Sequence, residues 1–208
     1  MLKIRWHWGI GLLAAALGAW PAGAIEQLTA KQAVNLANQQ VEEHSQKQVL
    51  LVEGKQSDSQ LRPRIWDVAL YDHKRANGAA VVRVKDGAVT SLTGSVRLFD
   101  DARWSRFDRN FTGFHVDEVV KLARWKVDSD EVVAKAVANP RLSGHEVTAV
   151  TLAFHKLSDG DVPPIWRIKL RARPKDQASR ERWVGYLQFN AESGELIKDE
   201  LRVKSARP

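Results

Sequence analysis

The sequence predicts an α+β protein in which one unit, a helix on an antiparallel sheet of about four strands, is written twice. Three observations predict it. Two amphipathic segments rich in small residues begin a hundred positions apart, two tryptophan-centred alternating strands recur at the same distance, and each strand is followed by two apolar runs broken at a glycine. Successive short connections between strands imply antiparallel pairing, and a single helix can cover one face of such a sheet.

The first helical segment reads Thr29-Ala30-Lys31-Gln32-Ala33-Val34-Asn35-Leu36-Ala37, and the second Ser129-Asp130-Glu131-Val132-Val133-Ala134-Lys135-Ala136-Val137. Thr29 and Ser129 are expected as N-caps, because a hydroxyl oxygen can accept from an orphan backbone N–H. Apolar residues then recur at helical spacing. The strand cores follow. Ile65-Trp66-Asp67-Val68-Ala69-Leu70 aligns with Ile165-Trp166-Arg167-Ile168-Lys169-Leu170. Alternation puts Trp66, Val68 and Leu70, or Trp166, Ile168 and Leu170, on one face. The paired tryptophans are expected to fill the space between sheet and helix. Earlier strands are expected near 48–53 and 147–155.

The hairpins are expected at 79–84 and 88–99, turning at Asp86-Gly87, and at 183–189 and 195–203, turning at Ser193-Gly194. Gly87 and Gly194 suit tight turns because glycine tolerates positive φ. Their offset is 107, so the second unit carries seven extra residues, expected as a solvent loop within 173–182. Between the units, 100–127 interleaves Arg103, Trp104, Arg106, Phe107, Arg109, Phe111 and Phe114. Val116, Val119, Val120, Leu122 and Ala123 then recur at helical spacing before Trp125. This is expected as a connecting segment that becomes a helix and packs between the units.

The expected organisation is a signal peptide at 1–24, a first domain at 25–99, the connecting segment at 100–127 and a second domain at 128–208. Residues 1–24 hold no acid, start with Lys3 and Arg5, run apolar from Gly9 to Trp20, and end Ala22-Gly23-Ala24 after Pro21. That is a secretory signal with cleavage expected after Ala24; the alternative is an uncleaved anchor. The apolar run falls short of the roughly 20 residues that span a bilayer. Cleavage removes two cations and no acid, so the formal charge falls from +7 to +5. A mildly basic, periplasmic or secreted chain with no membrane span after cleavage is the expectation, and nucleic acid is not an expected partner.

The best motif match is Trp166-Arg167-Ile168-Lys169-Leu170 followed by Tyr186-Leu187-Gln188-Phe189-Asn190-Ala191-Glu192-Ser193-Gly194-Glu195-Leu196-Ile197. On these residues and the order of elements, the mature chain resembles the PepSY family as a tandem. The family often has Asp-Ala-x-Thr-Gly in the hairpin. This chain has Asn190 and Ser193 there, and the first unit has Val84-Lys85-Asp86-Gly87. The resemblance implies a non-catalytic domain that binds or restrains a secreted peptidase. It supplies no catalytic residues.

The residues themselves offer no enzyme signature. Cysteine is absent, so there is no thiol nucleophile, thiolate metal site or disulfide. The six histidines lack paired zinc spacing, and no HExxH, phosphate loop or G-x-S-x-G occurs. Asp159-Gly160-Asp161 lacks the further oxygens of a calcium loop and reads as a turn. No cofactor and no metal are expected. One stretch is sharper. Opposite the apolar face of 165–173 stand Arg167, Lys169, Arg171 and Arg173, with Arg180 and Arg182 on the returning loop. Like charges in line repel unless solvated or paired. They are expected either to dock an acidic protein segment or an anionic envelope polymer, or to be a solvated face balanced by Glu192, Glu195, Asp199 and Glu200. An enzyme with a site between the two units is the remaining alternative.

Overall fold

The computed structural model describes residues 27–93, 116–156, 161–175 and 181–203. The signal-peptide residues, the aromatic and arginine-rich stretch before His115, and Arg180 lie outside them. The element order is α1 (Ala30–Asn38), β1 (Val49–Ser57), β2 (Pro63–Tyr71), β3 (Ala79–Lys85), β4 (Ala88–Thr93), α2 (Ser129–Val137), β5 (His145–His155), β6 (Ile165–Pro174), β7 (Arg182–Asn190) and β8 (Leu196–Asp199). The protein is therefore α+β.

The strands do not form two separate sheets. They form one eight-stranded antiparallel sheet in the order β4-β3-β2-β1-β5-β6-β7-β8. The join is β1 against β5, with Leu51 opposite His155, Val52 opposite Phe154, Glu53 opposite Ala153 and Gly54 opposite Leu152. Beyond that register the Val150 N–H donates to Ser57 Oγ at 2.9 Å. A strand edge left bare in either half would expose a row of unpaired amides, and mutual pairing removes both edges.

Both helices bury one stripe each against the same face. Ala30, Ala33, Val34 and Ala37 of α1, and Val132 and Ala136 of α2, share a core with Val52, Trp66, Val68, Leu70, Leu152, Phe154, Trp166, Ile168 and Leu170. Small residues on the helices let them approach close enough for the indoles to fill the remaining space. Trp66 and Trp166 are fully buried. Each also ties the sheet to the chain entering its helix. Trp66 Nε1 donates to Leu28 O at 3.1 Å, and Trp166 Nε1 to Val127 O at 2.9 Å. Those carbonyls immediately precede the two N-caps, Thr29 and Asp128.

Asp128, not Ser129, is the second N-cap. A carboxylate there accepts from the Ser129 N–H and forms a capping box with Glu131. Ser129 instead serves the other helix: its Oγ accepts from the Ala30 N–H at 2.9 Å, and Asp128 Oδ1 accepts from the Lys31 N–H at 3.3 Å. The expected connecting helix is also corrected. Residues 116–127 make two single 3₁₀ turns, Val116–Glu118 and Leu122–Arg124. The chain is held extended between them by the Val120 N–H to Val49 O and by the Lys126 and Val127 N–H groups to Ala191 O. Its apolar residues still enter the core: Val120, Trp125 and Val127 are buried, and Trp125 stacks on Phe154 with ring centroids 4.1 Å apart.

Asp86 and Gly87 both have positive φ, 48° and 81°, as a two-residue hairpin demands. The second hairpin is wider than the expected tight turn. Residues 191–195 connect β7 to β8, with Asn190 Oδ1 accepting from the Glu192 and Ser193 N–H groups and Gly194 at φ 75°. β8 is correspondingly short, and only β4 through Thr93 of the expected 88–99 run is described.

One glycine matters for packing rather than for a turn. Gly54 lies directly across from Trp66, and a Cβ on it would sit 2.7 Å from both Pro63 Cγ and Trp66 Cζ3. In the second half Phe154 lies across from Trp166. Gly54→Ala is expected to lower stability by about 1–3 kcal/mol, since a buried indole and a proline ring must move. Urea unfolding reads this directly, and an unchanged midpoint would contradict the close approach.

Candidate functional site

Alternation along β6 divides its side chains cleanly. Trp166, Ile168, Leu170 and Ala172 point into the helix-covered core, and all are buried. Arg167, Lys169, Arg171 and Arg173 therefore stand on the opposite face. Arg182 is exposed at the start of β7, across from Ala172. The structure thus brings four of the six sequence-predicted cations to this face; Arg182, paired with the core-facing Ala172, stands on the other side of the sheet, and Arg180 is outside the described residues.

What the sequence reading missed is the aromatic component. Tyr186 pairs with Lys169, and Trp183 with Arg171. The Arg167 guanidinium carbon lies 3.8 Å from the Tyr186 ring centroid, Lys169 Nζ lies 5.8 Å from that of Trp183, and Lys198 Nζ on β8 lies 5.7 Å from that of Tyr186. Cations over ring faces are attracted by the ring quadrupole. Trp183 is 46% exposed, unusual for an indole within a strand. Strict alternation would send Trp183 to the core with Leu187 and Phe189. A register shift opposite Leu170 and Arg171, at Gly185 with φ 118°, turns it over instead. The glycine is required there, because a Cβ would sit 2.2 Å from Glu200 O.

Of the acids expected to balance this face, Glu200 does so, meeting Lys198 at 3.0 Å, and three pair elsewhere: Glu192 meets Arg124 at 2.8 Å, Asp199 meets Arg141 at 2.7 Å, and Glu195 accepts from the Ser193 hydroxyl. Two further acids join Glu200. Glu181 lies 3.2 Å from Arg171, and Glu146 lies 2.8 Å from Arg173, which holds the Glu146 carboxyl below its ordinary value. Exposed pairs of this kind contribute little to stability and exchange readily with solvent or a ligand.

Across the β1–β5 join the same face carries buried charge. Glu53 is 7% exposed and Asp67, its neighbour on β2, is 1% exposed. Arg83 holds Asp67 with two hydrogen bonds of 2.7 and 2.9 Å. Lys55 Nζ lies 2.8 Å from Glu53 and 3.5 Å from Asp67. Burial pushes the Glu53 carboxyl up to about 7, against the opposing pull of Lys55.

On the opposite face, a groove of about 640 Å³ lies between the start of α1, the β1–β2 turn and the outer side of α2. Leu28, Leu61, Pro63, Val133 and Val137 make it largely aliphatic, and Arg62 and Asp130 are its titratable side chains. Glu53 is on the far side of the sheet from it, so groove and perturbed carboxyl do not meet. His44 lies between Asp72 at 2.8 Å and Glu42 at 3.4 Å. Asp161 is engaged by Lys121 at 2.9 Å and Arg124 at 3.1 Å. Among the described residues no group of three or more His, Cys, Asp or Glu side chains is placed to hold a metal ion, and no helix is long and apolar enough to cross a membrane.

No family model matches the sequence, and neither a curated protein nor a solved structure matches it.

Glu53 sets a pH dependence whose sign can be worked out. Its folded carboxyl keeps a proton up to about 7, whereas the unfolded chain releases it near 4.5. Between those values the folded state binds more protons, so this group's contribution to stability falls as pH rises. Glu53→Gln is expected to remove roughly 3 kcal/mol of that decline between pH 4.5 and 7.5. Urea unfolding of both proteins across the window measures the difference; parallel curves would show that Glu53 is not desolvated.

Proposed function

We propose that this chain is an exported, non-catalytic binding protein built from two PepSY-like halves. It grips an acidic segment of a partner protein on the face of β6, β7 and β8 that points away from the helices. The observation that carries this reading is the cation–aromatic ladder. Arg167, Lys169, Arg171 and Lys198 are interleaved with Tyr186 and the exposed Trp183 on adjacent strands. Cations give electrostatic complementarity and steering, while rigid aromatic rings give contact area at small entropic cost.

Three features support the duplicated architecture behind it. Each half orders its elements as a helix followed by four strands. Each buried indole is bonded to the carbonyl one residue before its helix cap. Each strand that precedes the tryptophan strand lies at the centre of the sheet. The PepSY resemblance adds the class of partner, a secreted peptidase that is bound or restrained. Among the described residues, the groove against α1 and α2 has Arg62 and Asp130 as its titratable side chains rather than a convergent set, which weighs against the enzyme reading.

An anionic envelope polymer is the second reading. It is favoured by the linear spacing of the β6 cations, which places a positive group about every 6.7 Å along one strand. Salt separates the two. Polymer binding should collapse between low and physiological ionic strength, whereas a protein interface anchored by Trp183 should retain most of its affinity.

Replacing Arg167, Lys169 and Arg171 together with Gln is expected to weaken binding of an oligoglutamate peptide about tenfold or more, with the circular dichroism spectrum unchanged. Fluorescence titration on the exposed indole measures it. Equal affinity in a folded triple variant would remove the face from the account. If a captured secreted peptidase retained full activity when bound, the restraining role would fail and binding alone would stand.

A further inference from the structure

The β1–β5 join does more than unite the strands. It sets a buried acidic pair beside the cationic face, in one cross-strand row. Read across the sheet, that row runs Arg83, Asp67, Glu53, Ala153, Arg167 and Gln188. We infer that Glu53 is the proton-controlled element of the binding face, strengthening anion capture by β6–β8 when protonated and weakening it when ionised; this rests on the binding face proposed above.

The charges around Glu53 make the argument. On its own strand Lys55 contacts it at 2.8 Å. From β2 it faces Asp67, and from β3 Arg83, whose guanidinium is engaged on both oxygens of Asp67. From β5 it faces the uncharged Ala153, flanked two residues on by His155. From β6 Arg167 and Lys169 complete the surroundings, with Lys169 felt electrostatically at Glu53. With Glu53 ionised, the inner group of Glu53, Asp67, Lys55 and Arg83 is neutral. With Glu53 protonated it carries one net positive charge, and only Ala153 lies between that group and Arg167. Burial is what makes this carboxyl, unlike exposed ones, change state near neutrality. Asp67 is held by Arg83 through both of its carboxylate oxygens.

Two strand spacings separate Glu53 from Arg167, about 10 Å. At that distance and in low salt, one charge changes the affinity of an anion about three- to fivefold. The full chain is titrated with an oligoglutamate peptide at pH 6 and pH 8 in low salt, reading Trp183 fluorescence. The wild type is expected to bind about three- to fivefold more tightly at pH 6. Glu53→Gln, fixed in the neutral state, is expected to bind at pH 8 nearly as tightly as the wild type does at pH 6. Glu53→Met, uncharged and of similar length, serves equally if the glutamine amide disturbs packing beside Lys55. Peptide binding with the full wild-type pH dependence in both variants would overturn this inference and leave the binding face standing. Absence of peptide binding to the wild type at both pH values would overturn both.

Discussion

The antiparallel pairing of β1 with β5 is the constraint on which the rest depends. Each strand would otherwise be a sheet edge. Joined, they become the two central strands of an eight-stranded sheet with a continuous face on either side. One face carries both helices over a shared apolar core. The other carries charge beside a smaller buried apolar cluster that includes Leu51, Ala69 and Val81, with Val119 packed against it. The same join brings the start of α1 close enough to α2 for Ser129 and Asp128 to satisfy the orphan amides of Ala30 and Lys31. It also puts Glu53 within two strands of Arg167.

The two indoles translate that sheet into helix placement. A tryptophan buried without a partner for its N–H would be costly, and here each donates to the carbonyl just before a helix cap. The helix start is thereby pinned to a strand by a bond that also fixes the ring. The halves solve the space opposite the ring differently. Gly54 yields room for Trp66 and Pro63, whereas Phe154 fills the place opposite Trp166 and is itself covered by Trp125. The connecting segment closes only single 3₁₀ turns on itself, because the amides of Val120, Lys126 and Val127 go to Val49 and Ala191, so its helical spacing of apolar residues never becomes an α-helix.

Charge on the open face is arranged in two regimes. Toward β2 and β3 the acids are buried and matched by Arg83 and Lys55, and burial raises the Glu53 carboxyl. Toward β6 and β7 the cations lie over aromatic rings or meet exposed acids, and such exposed ion pairs contribute little to stability.

Much of this was legible in the chain itself. The period-two patterns fixed which side chains of β2 and β6 are buried, since a one-residue slip would invert the whole strand. The small-residue periodicity placed α1 and α2, and Asp86-Gly87 marked its turn through the φ > 0 that those residues tolerate. Local patterns are blind to partners distant in sequence, however. Nothing in β1 or β5 announces that the two strands pair with each other, because either could equally have been an outer edge. The turning-over of Trp183 depends on a register shift at Gly185, and the true N-cap on Ser129 being drawn to α1. The ionisation of Glu53 follows from burial by strands far away in the chain. Local geometry is set by neighbours a few residues off and can be read from order alone. Edge pairing, bulges and desolvation are set by which surfaces meet, and only the folded arrangement decides that.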